Sequence, residues 1–351
     1  MGRDEDRTGT GEKSVVPPLA HGGNLNAAAE CYGRPIEEWL DLSTGINPIA
    51  YPIPHLPDRL WTRLPERQSE ERLLGCARRY YAAPKEADIV AAPGTQALIQ
   101  IIPRLRPVSR VCVLGPTYGE HAHCWRGAGH DVEERAYADG WPNQADVVVV
   151  VNPNNPDGHM VDQDSLLARA AELSAQGGWL IIDEAFGDMQ PAARVARHAG
   201  VPSMIILRSF GKFFGLAGLR LGFALSDKEI GSHIRNALGP WSVAGPALEI
   251  GACALGDEVW IDDTRNRLFR DAQRLDALLE ESGHAVVGGT SLYRLISTQG
   301  CELHETLAQQ GIWTRAFADR KHLLRFGVPA SDEDFNRLAA ALSCEEMKAV
   351  S

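Results

Sequence analysis

Short apolar runs alternate with helical stretches through the middle of the chain. The runs that predict strands are Val111–Leu114, Val147–Val151, Leu180–Asp183, Ile205–Ser209 and Leu221–Ala224. Between the second and third runs, residues 164–176 carry leucine and alanine at helical spacing, and Asp162 or Asp164 can cap the start of this helix. Repeated alternation of strand and helix predicts an α/β fold, in which a mostly parallel sheet is covered by helices.

The flanking segments have weaker patterns. Residues 1–16 are charged and glycine-rich and predict a disordered arm, whereas residues 17–57 predict an N-terminal segment with a short helix near Asn26–Tyr32. An amphipathic helix is predicted over Ser69–Tyr81, and a long helical stretch over Ala247–Ser282. We therefore predict a large domain over residues 58–240 and a smaller α+β C-terminal lobe over residues 241–351.

Composition narrows the classes of partner. The 351 residues include 35 Lys and Arg against 46 Asp and Glu, and a net charge of −11 disfavours general binding of nucleic acid or of anionic membranes. The longest apolar run, Val147–Val151, is far shorter than the roughly 20 residues of a membrane helix. The seven cysteines include no C-x-x-C pair, which is typical of reduced thiols in the cytoplasm.

Two predicted turns follow strand ends, where open α/β sheets bind their ligands. Pro93-Gly94-Thr95-Gln96 predicts a tight turn into a helix, and the free N–H groups there suit a phosphate, although an ordinary capped turn has the same pattern. Residues 152–158 contain two Asn-Pro steps and Asp-Gly, which predict a strongly specified turn. That turn is either a plain loop or a source of Asn side chains for a ligand.

Asp183 and Lys212 are charges in apolar surroundings. Asp183 is the first charged residue after an apolar strand, so it either meets a cation or strong donor or caps a helix. Lys212 lies among Gly, Phe and Leu residues, and we expect it to be desolvated. Desolvation lowers the pKa of a lysine and makes its neutral amine a nucleophile toward carbonyl groups.

In order, G-T-Q, N-N-P-D-G, D-E-A-F and S-F-G-K-x₇-R resemble the landmarks of the class I and II aminotransferases, which are fold type I enzymes dependent on pyridoxal phosphate (PLP). The resemblance extends from about His21 to Val328 and implies the PLP-dependent transferase fold, with residues 58–240 as the PLP-binding domain. It implies a Schiff base to Lys212, phosphate contacts from Gly94, Thr95, Gln96, Ser209 and Arg220, pairing of Asp183 with the pyridine nitrogen, donation from Asn155 to the phenolate oxygen, and stacking of Tyr118 on the ring.

Two departures from the family pattern affect the cofactor contacts. Phe186 stands where many members have a tyrosine that donates to the phenolate oxygen, which leaves Asn155 to serve alone. Leu64 stands where many members have a tyrosine that reaches the cofactor phosphate of the neighbouring subunit. Tyr51 is a candidate to replace that tyrosine.

Within this family, the motifs H-G-G-N near residue 21, D-L-S-T-G-I-N-P at residues 41–48 and L-R-F-G at residues 324–327 are most similar to the threonine-phosphate decarboxylases of cobalamin biosynthesis. This likeness implies a small phosphorylated amino acid as substrate. The likeness further implies that Arg325 binds the carboxylate and that Arg315, His21 and Asn47 surround the phosphate of this substrate. The family also implies a homodimer, in which His21 and Asn47 reach the site of the partner subunit.

Three alternatives stay open at this stage. A histidinol-phosphate or related amino acid aminotransferase has the same cofactor residues. A PLP-sensing regulator has the same domain but usually adds a basic DNA-binding domain ahead of it. A metal site at residues 121–124 (H-A-H-C) is less favoured than a plain helix face, because zinc needs ligands from a second element. We therefore predict no metal.

Overall fold

The computed structural model describes residues 22–298 and 302–349, so the predicted arm at residues 1–16 and His21 lie outside it. The α-helices are α1 Leu25–Tyr32, α2 Arg59–Thr62, α3 Arg67–Tyr80, α4 Thr95–Ile101, α5 Glu120–Gly127, α6 Gln163–Ala175, α7 Phe210–Phe213, α8 Lys228–Leu238, α9 Gly245–Leu255, α10 Glu258–Glu281, α11 Glu302–Gln309 and α12 Asp332–Ala349. The strands are β1 Leu40–Asp41, β2 Asp88–Ala92, β3 Arg110–Gly115, β4 Asp131–Ala136, β5 Val147–Val151, β6 Trp179–Asp183, β7 Met204–Ser209, β8 Gly222–Ser226, β9 Val286–Thr290, β10 Tyr293–Ser297, β11 Ile312–Trp313, β12 Arg315–Ala316 and β13 Leu323–Gly327.

The large sheet has seven strands in the order β2-β8-β7-β6-β5-β3-β4. Only β8 runs antiparallel to its neighbours, β2 and β7, so the predicted mostly parallel α/β fold is confirmed. All five valines of β5 are buried, because helices cover both faces of this central strand. The strand β4 was not predicted, and β2 was predicted only through its end before the turn at Pro93. Because β4 lies at the sheet edge and carries mainly polar residues, it has no apolar run to reveal it.

The helices largely follow their predicted ranges. The side chain of Asp162 accepts a hydrogen bond from the Ser165 N–H at 2.9 Å and so caps α6. The single helical stretch predicted over residues 247–282 is wrong, because α9 and α10 are separate helices. Asp257 starts the second one by accepting the Trp260 N–H at 3.1 Å.

The C-terminal part builds a second sheet, β12-β13-β10-β9, which is antiparallel and packs with α11 and α12. Helix α10 joins the two parts. Its residues Ile261 and Leu268 pack in the core of the large sheet, and Leu275 and Leu279 pack in the small-lobe core. The predicted boundary near residue 240 stays a prediction. No helix in the described part of the chain is long and apolar enough to cross a membrane.

Candidate active site

Lys212 lies one helical turn beyond the end of β7, on the short helix α7. Its side chain is half-buried, with Nζ 5.7 Å from the centre of the Phe186 ring. Burial, together with the positive charge of Arg325, lowers the pKa of Lys212 to about 8, although Asp183 opposes that shift. The amine therefore has a large neutral fraction at mildly alkaline pH, as a nucleophile requires.

Asp183 ends strand β6 and is buried. Its Oδ1 accepts the Ala185 N–H at 2.9 Å, and its Oδ2 lies 2.9 Å from Nε2 of His121 on helix α5. We did not predict this role for His121 from the sequence. The sequence offers only the spacing of His121 and Trp125, four residues apart, which places them on one face of α5 without indicating a partner.

Gly94 precedes α4 and forms the floor of a small cradle beside Arg220. A Cβ atom on Gly94 would lie 2.7 Å from Nη2 of Arg220, and one on Gly222 would lie 2.6 Å from the Thr95 nitrogen. Ser209 is paired with Gly222 across strands β7 and β8. The glycines thus let the Arg220 guanidinium, the Ser209 segment and the N–H groups of a helix start approach one point.

Gln96 and Tyr118 are joined beside this cradle. The Tyr118 hydroxyl donates to Oε1 of Gln96 at 3.2 Å, and Nε2 of Gln96 donates to Glu120 at 2.7 Å. The Tyr118 ring meets the His121 ring edge-on, with 6.2 Å between centroids. Burial raises the pKa of Tyr118 far above its usual range, so the phenol stays protonated. These contacts fix the tilt of the Tyr118 ring.

Arg325 is buried on β13 and touches both lobes. Its Nη1 donates to Oδ1 of Asn155 at 2.5 Å, and its Nη2 donates to the Ser43 carbonyl at 2.7 Å. Its guanidinium carbon lies 4.9 Å from the centre of the Tyr293 ring. Burial lowers the pKa of Arg325 to about 10. Within the described residues, Nε of Arg325 has no hydrogen-bond partner, and the NH₂ of Asn155 remains to serve as a donor.

Arg315 stands directly opposite Arg325 in the antiparallel pair of β12 and β13. Directly opposed residues project from the same face of a sheet, with Cβ atoms roughly 5 Å apart. Arg315 is half-buried beside Phe317, and burial lowers its pKa. The two cations predicted to bind substrate therefore share one face of the small-lobe sheet.

The remaining predicted substrate residues belong to the N-terminal segment. His21 lies outside the described residues, but the adjacent Gly22 lines a cavity of about 400 Å³ with Thr44, Asn47 and Gly327. Although Asn47 lines this cavity, its side-chain amide is hydrogen-bonded to Phe213 and Arg267 within the chain. The contact of Asn47 with a substrate phosphate stays a prediction.

Tyr51 does not occupy the place proposed for it. Its ring is buried against Phe214 and Trp260, and its hydroxyl donates to Asp257 at 3.3 Å in the same chain. A side chain packed in its own core cannot reach the phosphate site of a partner subunit, so that suggestion is wrong. Leu64, where relatives have the reaching tyrosine, is 64% exposed.

A sequence model of the class I and II aminotransferases matches residues 64–342, and the chain belongs to this family. A protein of Pseudomonas aeruginosa named threonine-phosphate decarboxylase is 45% identical over 327 residues, which cover 92% of this chain and 97% of that protein. A protein of the same name from Sinorhizobium sp. is 43% identical over 334 residues, covering 94% and 99% of the two chains.

Solved structures agree on the fold. Histidinol-phosphate aminotransferase from Sinorhizobium meliloti in complex with pyridoxal-5'-phosphate superimposes with a TM-score of 0.76 at 20% identity, covering 99% of both chains. L-threonine-O-3-phosphate decarboxylase from Porphyromonas gingivalis gives a TM-score of 0.71 at 17% identity, covering 87% of this chain and 99% of that one. The predicted fold type I architecture is confirmed.

The site residues fit PLP. The cradle at Gly94 combines a guanidinium with backbone N–H groups, a donor set that suits a phosphate dianion. Asp183 offers a buried carboxylate for a protonated pyridine nitrogen, and Lys212 offers an amine of lowered pKa for the aldehyde. These groups follow the ends of strands β2, β6 and β7, which lie at one edge of the same sheet, as a single ligand requires.

Proposed function

We propose that the chain is a PLP-dependent carbon–carbon lyase that converts L-threonine O-3-phosphate to (R)-1-amino-2-propanol O-2-phosphate in cobalamin biosynthesis. The observation that carries the proposal is the opposed pair of Arg315 and Arg325, which provides two cations for a substrate with a carboxylate and a phosphate. Identity of 45% and 43% with proteins named threonine-phosphate decarboxylase supports it.

Residues of the large domain would hold four parts of the cofactor. Lys212 would bind its aldehyde carbon, and Arg220 with the start of α4 would bind its phosphate. Asp183 would keep a proton on the pyridine nitrogen, because a buried carboxylate favours the protonated ring. The fixed Tyr118 ring would stack on the cofactor and set its tilt.

The substrate would be held by its two anionic ends. Arg325 is oriented by Asn155 and Ser43, so its guanidinium is in place before a carboxylate arrives. Arg315 would take the phosphate, with His21 beside it. Two fixed anchors would set the orientation of the bonds around Cα, and a decarboxylase requires that the bond to the carboxylate be the one placed for cleavage.

PLP, when bound, supplies a protonated ring that accepts the electron pair left on Cα when a bond to Cα breaks. In a decarboxylation, that pair comes from the Cα–carboxylate bond, and carbon dioxide leaves. A proton must then reach Cα. The amine of Lys212, which has a pKa of about 8, is suited to deliver that proton near neutral pH.

The active form would be a homodimer in the cytoplasm, free of nucleic acid and membrane. Three large apolar side chains stand exposed near the start of α9: Trp61 at 67%, Leu64 at 64% and Trp241 at 60%. A Cβ on Gly245 would lie 2.5 Å from the Leu60 carbonyl, so helix α2 packs against this start of α9. A self-complementary contact would bury these side chains.

A histidinol-phosphate aminotransferase is the second candidate, because solved enzymes with that name share the fold and the same cofactor residues serve both reactions. To distinguish them, PLP-loaded protein is incubated with L-threonine O-3-phosphate alone and, separately, with histidinol phosphate and 2-oxoglutarate. The proposal predicts carbon dioxide and aminopropanol phosphate in the first mixture, and neither with the Lys212→Ala variant. If the second mixture gives glutamate and the first gives no carbon dioxide, the proposal is contradicted.

A further inference from the structure

A segment near residue 50 holds the turn that carries Lys212. The Asn47 N–H donates to the Lys212 carbonyl at 2.9 Å, and Nδ2 of Asn47 donates to the Phe213 carbonyl at 2.8 Å. The Tyr51 N–H donates to the Phe214 carbonyl at 2.9 Å. The last carbonyls of a helix lack partners within it, and α7 has only four residues. This segment therefore fixes the backbone of the lysine.

Arg267 binds the oxygen of the Asn47 side-chain amide. Its Nη2 donates to Oδ1 of Asn47 at 2.7 Å, and the same oxygen accepts the Ile49 N–H at 3.1 Å. Asn47 is only 2% exposed, so its amide has no bulk water to replace these partners. Arg267 is itself held by an ion pair with Asp271 at 3.2 Å.

Arg267 lies where helix α10 passes from one lobe to the other. The next residue, Leu268, packs in the large core, and Ala272 packs in the small-lobe core together with β13, the strand of Arg325. The hydrogen bonds from Arg267 through Asn47 to the Lys212 turn therefore link the lysine to the helix that both lobes share.

We propose that Asn47 and Arg267 are positioning residues, which set the location of the Lys212 amine relative to the cofactor according to the position of the small lobe. The inference rests on the proposed function only in taking Lys212 as the cofactor-bearing group. It differs from the resemblance, in which Asn47 contacts the substrate phosphate. A positioning role predicts loss of turnover with little loss of substrate affinity.

Arg267→Met tests the linkage, Arg267→Lys is the conservative variant, and Arg270→Met is a matched control at an exposed position of the same helix. For PLP-loaded proteins we would measure kcat, KM and the pH titration of the cofactor absorbance. Misplacing the lysine by a fraction of an ångström should lower kcat roughly ten- to hundredfold for Arg267→Met. KM should hardly change, the titration midpoint should move, Arg267→Lys should recover part of the loss, and Arg270→Met should match wild type.

Asn47→Asp separates the two roles of that residue. It keeps an acceptor for Arg267 but loses the donor to the Phe213 carbonyl, so it should reproduce the fall in kcat and the moved midpoint. A rise in KM without a fall in kcat would mean that Asn47 contacts the substrate phosphate, and would overturn the inference. Lowered thermal stability with wild-type kcat and midpoint would also overturn it. The proposed function itself fails if wild-type protein loaded with PLP shows no cofactor absorbance band that the Lys212→Ala variant lacks.

Discussion

Nε2 of His121 lies 2.9 Å from Oδ2 of Asp183, and both side chains are buried where strand β6 meets helix α5. The contact holds the carboxylate in one orientation and gives its Oδ2 atom a hydrogen-bond partner. It thereby fixes the group that we expect to face the pyridine nitrogen.

Asp183→Asn should lower kcat by about 10²- to 10³-fold, because a neutral amide lacks the negative charge that keeps the ring nitrogen protonated. His121→Phe should lower kcat by a smaller factor, about 10- to 100-fold, since it removes only a supporting partner. Steady-state decarboxylation assays give both values. His123→Phe on the same helix is the control, and equal losses for the two histidine variants would refute a specific role of His121.

Gly94→Ala should weaken the binding of PLP, because the added Cβ would lie 2.7 Å from Nη2 of Arg220 and force the guanidinium away from the cradle. The control is Gly129→Ala. Gly129 also has a positive φ, +88° against +84°, but has open space around its Cβ position. Fluorescence titration of the apoproteins with PLP gives the dissociation constants. Similar weakening in both variants would show that backbone strain, not the cradle, is responsible.

The rate of PLP uptake by the apoprotein should rise as the pH rises through about 8 and then level off, since the neutral Lys212 amine is the reacting form. Its pKa is lowered, so the reactive form dominates above pH 8. An ordinary lysine, with a pKa of roughly 10.4, would keep gaining rate to higher pH. Stopped-flow absorbance measures the rate of reaction with PLP for the apoprotein and for Nα-acetyl-lysine, the reference amine. If the two rates depend on pH in the same way, the lowered pKa of Lys212 is contradicted.

Substitutions of Arg325 and Arg315 should have different effects, because the two arginines are proposed to bind different groups of the substrate. Arg325→Met should reduce kcat/KM roughly 10²-fold or more for both threonine phosphate and threonine, because both have the carboxylate. Arg315→Met should reduce kcat/KM for threonine phosphate alone and so remove the preference for the phosphorylated substrate. Arg315→Lys keeps the charge and should keep part of that preference. Assays of carbon dioxide release with each substrate test this, and equal losses on both substrates for Arg315→Met would contradict a phosphate contact.

The strand ends explain why much of the site could be predicted. Gly94, Asp183 and Lys212 each follow an apolar run, and a parallel sheet brings such ends to one edge whatever the connections between them. Strand β5 was predictable because burial on both faces demands an unbroken run of valines. The apolar runs and the residues that follow them can be read locally from the sequence, and the fold class then places the strand ends close together.

What could not be predicted depends on contacts between distant elements. No local pattern shows that His121 turns toward Asp183, or that Arg267 on α10 holds Asn47. The resemblance implied that Asn47 contacts the substrate phosphate, and the sequence does not show that its amide also bonds to Phe213 and Arg267. The edge strand β4 was not predicted because it buries few side chains and therefore has no apolar run.

The most direct test of the central claim follows the substrate carboxylate by NMR. Wild-type protein loaded with PLP is incubated in D₂O with L-threonine O-3-phosphate labelled with ¹³C at the carboxyl carbon, without any oxo acid. We predict that the label appears in carbon dioxide and bicarbonate, and that the amino alcohol phosphate gains one deuterium at the carbon that was Cα. Retention of the label in unchanged substrate or in a 2-oxo acid would contradict the account.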